Sequence, residues 1–287
     1  MDRKTFLQFT APSNILMLVL MVFPLVMAIW LGSQFMTFRN FGESEFVGLR
    51  NYFEVLQDGR FWQAFRFTLL YMVITVPAEI VLGFLVALML DQISPRIRGF
   101  YLAAFLLPFI VVPVVGTLMF KQLFEPSGPI SWFFRVVLRN RLIMNEGTIK
   151  TLIVFHALWY VTPYVIVTLF AGLQTLSISQ IEAAQIDGAN RLNQIRHVVI
   201  PHLSKLLIMI GMIGTMDAYR MFDSVFVLTE QNPIYKADTI MVYTFNVALT
   251  VQRLGKANAM SILTVIGIMV ILVPFVIRTY RDQMEER

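Results

Sequence analysis

The sequence predicts an all-α fold, a polytopic membrane bundle of six transmembrane helices, on three observations. Of its 287 residues, 57% are hydrophobic and only 14% are charged. Soluble domains carry about 25% charged residues, so this chain has too little charge to cover a water-facing surface. The mean hydropathy of +0.69 agrees. The third observation is six long apolar stretches, at about residues 14–36, 68–90, 100–120, 151–173, 203–228 and 258–277. A helix needs roughly 20 such residues to cross a bilayer core, where its backbone polar groups must be satisfied internally.

The remaining composition narrows the function classes. There are no cysteines, which excludes disulfides, zinc ribbons and iron–sulfur clusters. Only three histidines are present, scattered along the chain, so no metal site is expected. The +5 net charge falls on a hydrophobic chain, where a basic excess serves orientation and anionic membrane lipid rather than nucleic acid.

Arg3 and Lys4 precede the first stretch as in a signal peptide. Its apolar run is too long for a signal core and no Ala-x-Ala site follows, so it reads as a retained helix. Residues 37–66 and 121–150 read as extramembrane connections with partly amphipathic helices. A short link at 91–99 carries Arg96 and Arg98, and a connection at 229–257 contains the turn signal Asn232-Pro233. Prolines 24, 77, 108, 113, 163 and 274 fall in or beside the spans and read mostly as fixed kinks. Gly83-x-x-x-Ala87 suits close helix packing. No Pro- or Ser/Gly-rich linker divides the chain, so residues 1–287 read as one membrane domain. Lysine and arginine divide almost evenly between the two sides, so the positive-inside rule does not orient it.

The loop at 174–204 is the most patterned segment. Ser179 followed by Glu182 matches a capping box. Ala183 and Ala184 favour a helix with little bulk on its surface, and Asp187-Gly188 supplies a break. A second short amphipathic helix follows with Leu192, Ile195 and Val199 at helical spacing, and Pro201 opens the next span. The expected product is a helix–turn–helix beside the bilayer.

Glu182-Ala183-Ala184, three residues, Gly188, nine residues, then Val198-x-Ile200-Pro201 resembles the EAA motif of ABC importer permeases. That motif usually ends Ile-x-Leu-Pro. Other segments are similar to the carbohydrate-uptake branch, which includes the maltose and glycerol-phosphate systems: Gly48-Leu49-Arg50-Asn51-Tyr52, Phe222-Asp223 with Leu228-Thr229, and Gly255-Lys256-Ala257-Asn258-Ala259. Where the family has Gly-Gly-Pro after the threonine, this chain has Gln231-Asn232-Pro233.

The resemblance implies a permease subunit that imports a sugar, polyol or related small carbohydrate by alternating access. Its partners would be a second six-span permease, two ATPase subunits or domains that hold ATP and magnesium, and an extracytoplasmic binding protein. Glu182, Ala183, Ala184, Asp187 and Gly188 would dock on the ATPase from the cytoplasmic face. Both termini would then be cytoplasmic in a bacterial inner membrane. No Gly-x-x-x-x-Gly-Lys-Ser/Thr loop occurs, so the chain itself is expected to be no ATPase, and no nucleophile elbow or His-Glu-x-x-His suggests another enzyme.

Glu79 in the second span and Asp217, Arg220 and Asp223 in the fifth are ionisable groups at membrane depth, where each needs a polar cavity or a partner charge. Gly214, Asp217, Ala218 and Met221 share one helix face, Asp223 points away, and Arg220 can bridge to either acid. The resemblance implies a substrate site lined by this helix and by the span before the EAA loop, which offers Trp159, Tyr160 and Tyr164. Aromatic rings stack on apolar sugar faces, while carboxylates and phenols bond hydroxyls. The bland reading makes these aromatics packing residues and the charges a neutralised network. One acid on the ligand face favours a neutral sugar or polyol, while Arg220 admits a phosphorylated or sulfonated one. An ion-coupled carrier using Glu79 and Asp217 is the alternative function.

Overall fold

The computed structural model describes residues Arg3–Met284, so the ends assigned above to the cytoplasm, Met1–Asp2 and Glu285–Arg287, lie outside the described residues. Thirteen helices are described: α1 (Arg3–Gly32), α2 (Arg50–Leu56), α3 (Gly59–Asp91), α4 (Pro95–Ile110), α5 (Pro113–Phe124), α6 (Pro129–Val136), α7 (Glu146–Leu173), α8 (Ile178–Ile186), α9 (Arg191–Gln194), α10 (Ile200–Tyr219), α11 (Asp223–Thr229), α12 (Ile240–Leu249) and α13 (Leu254–Met284). Among the described residues, five helical stretches are long and apolar enough to cross a membrane, or six if a pair bent by 95° counts as one span. That pair is α4 with α5–α6.

The expected third span, 100–120, is therefore broken. Pro113 has no N–H to continue the ladder, and Val111 and Val112 are extended with ψ of 138° and 131°. The expected fifth span, 203–228, is also two helices. α10 stops at Tyr219, and α11 begins with Asp223 in its first turn, where an acid is favoured by the helix dipole. The Thr239 hydroxyl donates to the Met221 carbonyl at 2.8 Å, which satisfies a backbone group freed at that break.

The chain divides into two compact units, one built from residues up to Gln63 with Ile240–Val270, the other from Ala64–Thr239 with the residues from Ile271 on. In the first, α1 exposes its apolar side chains almost throughout, the surface a bilayer would cover. A two-stranded antiparallel hairpin, β1 (Gln34–Phe35) with β2 (Glu45–Phe46), follows it. Buried Asn51 donates to the carbonyls of Gly32 at 2.9 Å and Gln34 at 2.8 Å. Gly255 sits against that same Gln34 carbonyl so closely that a Cβ would lie 2.0 Å from its oxygen. The Asn51 segment and the Gly255 segment thus meet across some two hundred residues of chain.

Two ion pairs tie segments of this unit together. Lys256 Nζ contacts Asp58 Oδ2 at 2.6 Å and the Tyr243 hydroxyl donates to the same oxygen at 2.8 Å. Arg253 pairs with Glu54 at 2.8 Å. Burial works against the Asp58 carboxylate, yet the hydrogen bonds from Lys256 and Tyr243, the lysine charge and the Arg60 N–H together hold its pKa below the ordinary value.

The second unit centres on α7, whose buried face carries Val165, Ile166, Leu169, Phe170 and Leu173 among others. Gly83 in α3 lets that helix approach closely, since a Cβ there would fall 2.6 Å from Val165 Cγ1. Ala87 four residues on is fully buried, so the small-residue pair does pack a helix interface.

Candidate functional site

The loop at 174–204 is a helical hairpin whose ends are tied down. At its entrance Gln174 donates to Asp91 at 2.8 Å, and Arg98 donates to the Asp91 and Ile93 carbonyls at 2.9 and 3.1 Å. At its exit His202 Nε2 lies 2.9 Å from Thr175 Oγ1. Between these ties, α8 begins after Ser177 rather than Ser179, because the two serine hydroxyls bond each other at 2.6 Å and neither caps the helix. The expected Ser179–Glu182 capping box is therefore not formed.

The far end of α8 matches the expectation. Gly188 has φ of +78°, with its N–H on the Gln185 carbonyl at 3.0 Å and the Ala189 N–H on the Ala184 carbonyl at 2.9 Å. This is a Schellman stop, which requires the left-handed backbone that glycine adopts at least cost. Nothing lies within 4 Å of a Cβ built on Gly188, so backbone conformation rather than crowding demands glycine. Glu182, Ala183 and Asp187 are exposed, Ala184 is half-buried, and Ile178 and Ile186 are 75% and 85% exposed. Ile181 packs down onto the core. The outer face of α8 is thus small, apolar in part and exposed.

From this hairpin the chain enters α10 without a break. Residues Ile195–Val199 form a π-turn in which the Ile200 N–H reaches the Ile195 carbonyl. Pro201 cannot donate to the carbonyl four residues back, and a widened turn relieves the clash of its ring there. Pro201 therefore continues the helix rather than opening it, and α8's hairpin is joined directly to α10.

At the other end of α10 lies a cavity of about 510 Å³, wholly within the second unit. That is an ordinary size for a small-molecule site. α3 contributes Tyr71, Val76 and Glu79, the α4–α5 break contributes Phe109 and Pro113, and α7 contributes His156, Tyr160 and Tyr164. α10 contributes Gly214, Asp217 and Ala218, the following break contributes Arg220 and Met221, and α11 contributes Asp223. Six of the seven expected ligand-face residues are therefore brought together.

Trp159 is the exception. One residue from Tyr160 on a helix is about 100° away, and its ring instead packs near Phe120 with centroids 5.8 Å apart. Within the cavity, Tyr164 stacks on Phe109 at 5.6 Å. The Tyr160 hydroxyl donates to the Val111 carbonyl at 3.2 Å, so it holds the broken helix open. The exposed polar edge therefore comes less from Tyr160 than from the charged groups.

Those charges are arranged differently from the expectation. Arg220 turns to Asp217 alone, with Nη2 at 2.6 Å and Nε at 3.1 Å from one carboxylate oxygen. Asp223 does line the cavity, because the break at 220–222 re-aims it, and makes no hydrogen bond or ion pair among the described residues. Glu79 is 5% exposed, also lines the cavity and is likewise unpaired among them. His156 and Phe109 were not anticipated. The repeat His156, Tyr160, Tyr164 at spacings of four was the available signal for the first, and Pro108 with Pro113 was the signal for the bend beside Phe109. Among the described residues no cluster of His, Cys, Asp or Glu has metal-binding geometry.

The chain is 30% identical over 257 residues to the trehalose/maltose transport system permease protein MalF of Thermococcus litoralis, covering 88% of this chain and 86% of that one. It is 29% identical to the probable ABC transporter permease protein y4oQ of Sinorhizobium fredii, covering 99% and 93%. In fold it is similar to a crystal structure of a bacterial ABC transporter involved in the import of the acidic polysaccharide alginate. The TM-score is 0.83 at 18% identity, over 97% of this chain and 96% of that one. The family model for the binding-protein-dependent transport system inner membrane component matches residues 79–286. This match removes the ion-coupled carrier as a description and makes the chain a multi-pass transport subunit. With its family match covering most of the chain, this protein belongs to the binding-protein-dependent transport system inner membrane component family.

Proposed function

We propose that this subunit imports a carbohydrate, with its cavity as the passage site and residues 174–204 as the coupling element to a separate ATPase. The observation that carries the reading is that one continuous helical stretch, Arg191–Tyr219, joins the docking hairpin at one end to the cavity at the other. Movement of α8 by an ATPase dimer would therefore displace Asp217 and its neighbours directly, which is the coupling alternating access requires. Tyr164 stacked with Phe109, beside carboxylates, suits a sugar with apolar faces and hydroxyl edges. Relatives named for trehalose and maltose transport support the carbohydrate class.

In this reading the hairpin faces the cytoplasm, both chain ends lie on that side, and a second six-span permease completes the passage. ATP and magnesium belong to the ATPase, and an extracytoplasmic binding protein delivers substrate. Gly188→Asp tests the coupling. A charged side chain at a left-handed position misshapes the end of α8, so substrate-stimulated ATP hydrolysis by the assembled transporter should fall to its unstimulated rate. Normal stimulation in that variant would overturn the assignment.

A further inference from the structure

The charge of the cavity wall carries a statement about substrate that rests on the importer reading and goes further. Five groups there can bear charge: Glu79, Asp217, Asp223, Arg220 and His156. The arginine is already committed, since both of its contacts go to one oxygen of Asp217. The histidine is almost fully buried and its one hydrogen bond is internal: Thr117 spends its hydroxyl proton on the Pro113 carbonyl at 2.8 Å, so at 3.2 Å it accepts from His156 Nε2, while Nδ1 has no hydrogen-bond partner among the described residues.

Two carboxylates are left over. Glu79 is buried to 95% by the protein yet has no hydrogen-bond or ion-pair partner among the described residues, and its side chain lines the cavity. A buried carboxyl without a partner is ionised only when something that enters the cavity supplies the counter-charge. Asp223 stands at the α11 end of the same cavity with no partner among the described residues. Among the described residues, no lysine or second arginine lines this wall to receive an anionic substrate.

We propose that the transported solute carries a basic amino group, as in an amino sugar or a short glycan containing one, and that its ammonium is received by Glu79 and Asp223 while Tyr164 and Phe109 hold the ring. The wall disfavours uronates and sugar phosphates, which would meet two free carboxylates and an arginine already engaged. This separates the chain in chemistry from its fold neighbour, which serves an acidic polysaccharide.

The test uses the complete transporter, with its partner permease, ATPase and binding protein, reconstituted in proteoliposomes. Probes are matched mono- and disaccharides in three forms: glucosamine and chitosan disaccharide, their N-acetylated counterparts, and glucuronate-containing equivalents. ATP-driven uptake should favour the free-amine form over its N-acetylated partner by about tenfold, the ratio that one charge-assisted hydrogen bond sets. Glu79→Gln and Asp223→Asn should each shrink that ratio towards one. Equal or greater uptake of the neutral or acidic forms, or no uptake of any free-amine form, overturns the proposal, and the wild-type ratio decides this even if a variant fails to assemble. Uptake that proceeds without the ATPase would instead overturn the importer reading.

Discussion

Asp58 and Asp217 each meet one basic side chain, in surroundings that give the two pairs different work. Asp58 and Lys256 are 15% and 14% exposed, come from segments far apart in the chain, and are joined by the Tyr243 hydroxyl. Asp217 and Arg220 are 54% and 71% exposed, lie three residues apart, and face an open cavity. A closed pair of the first kind holds segments together, because neither charge has enough water to survive alone. An open pair of the second kind stores little stability, and its two charges offset each other at the cavity wall.

Breaking the closed pair should have the largest effect. Lys256→Ala leaves a mostly buried carboxylate with only tyrosine and backbone donors, and should destabilise the protein by about 3 kcal/mol. Thermal unfolding in detergent measures this, and an unchanged midpoint would show that the pair is not what joins these segments.

Acid should act on the same pair next. The folded pKa of Asp58 lies below its ordinary value of 3.8. Its stabilising contribution is therefore fully present above that value and is lost as pH falls through the lower folded pKa. Asp58→Asn should flatten the acid limb of the stability profile below about pH 4 while leaving its shape near neutrality. A profile with the same acid slope in both proteins would assign that slope to other carboxylates.

The smallest stability change is expected at the open pair. Arg220→Ala should cost at most about 1 kcal/mol, as exposed pairs do, while changing transport through the charge of the cavity. A large loss of stability with wild-type uptake would reverse the contrast and make Asp217–Arg220 the structural pair.

Much of this was legible in the residues. Apolar length located the membrane-crossing helices, and Asp187-Gly188 marked the end of α8 because a left-handed residue is a local demand. Tyr160, Tyr164 and Asp217 reached the cavity for a similar reason, since positions four apart on one helix share a face whatever surrounds it. The misses have a common cause. Pro113 marks the break at 111–112 locally, but both breaks are closed by Tyr160 and Thr239, distant groups that take the freed carbonyls of Val111 and Met221. Periodicity along one segment contains no such partner. Trp159 failed because the choice between neighbouring faces of α7 was made by Phe120 on α5.

By itself, then, the sequence determined the solvent the chain folds in, the helical architecture and the glycine-stopped hairpin, because hydrophobic length and left-handed turns are properties of short segments. Tertiary structure alone decided which distant groups close the broken spans, which acid Arg220 neutralises and which carboxylates stand free. Those outcomes turn on which polar groups find partners across the fold, and at membrane depth an unpartnered group is costly enough to settle the geometry.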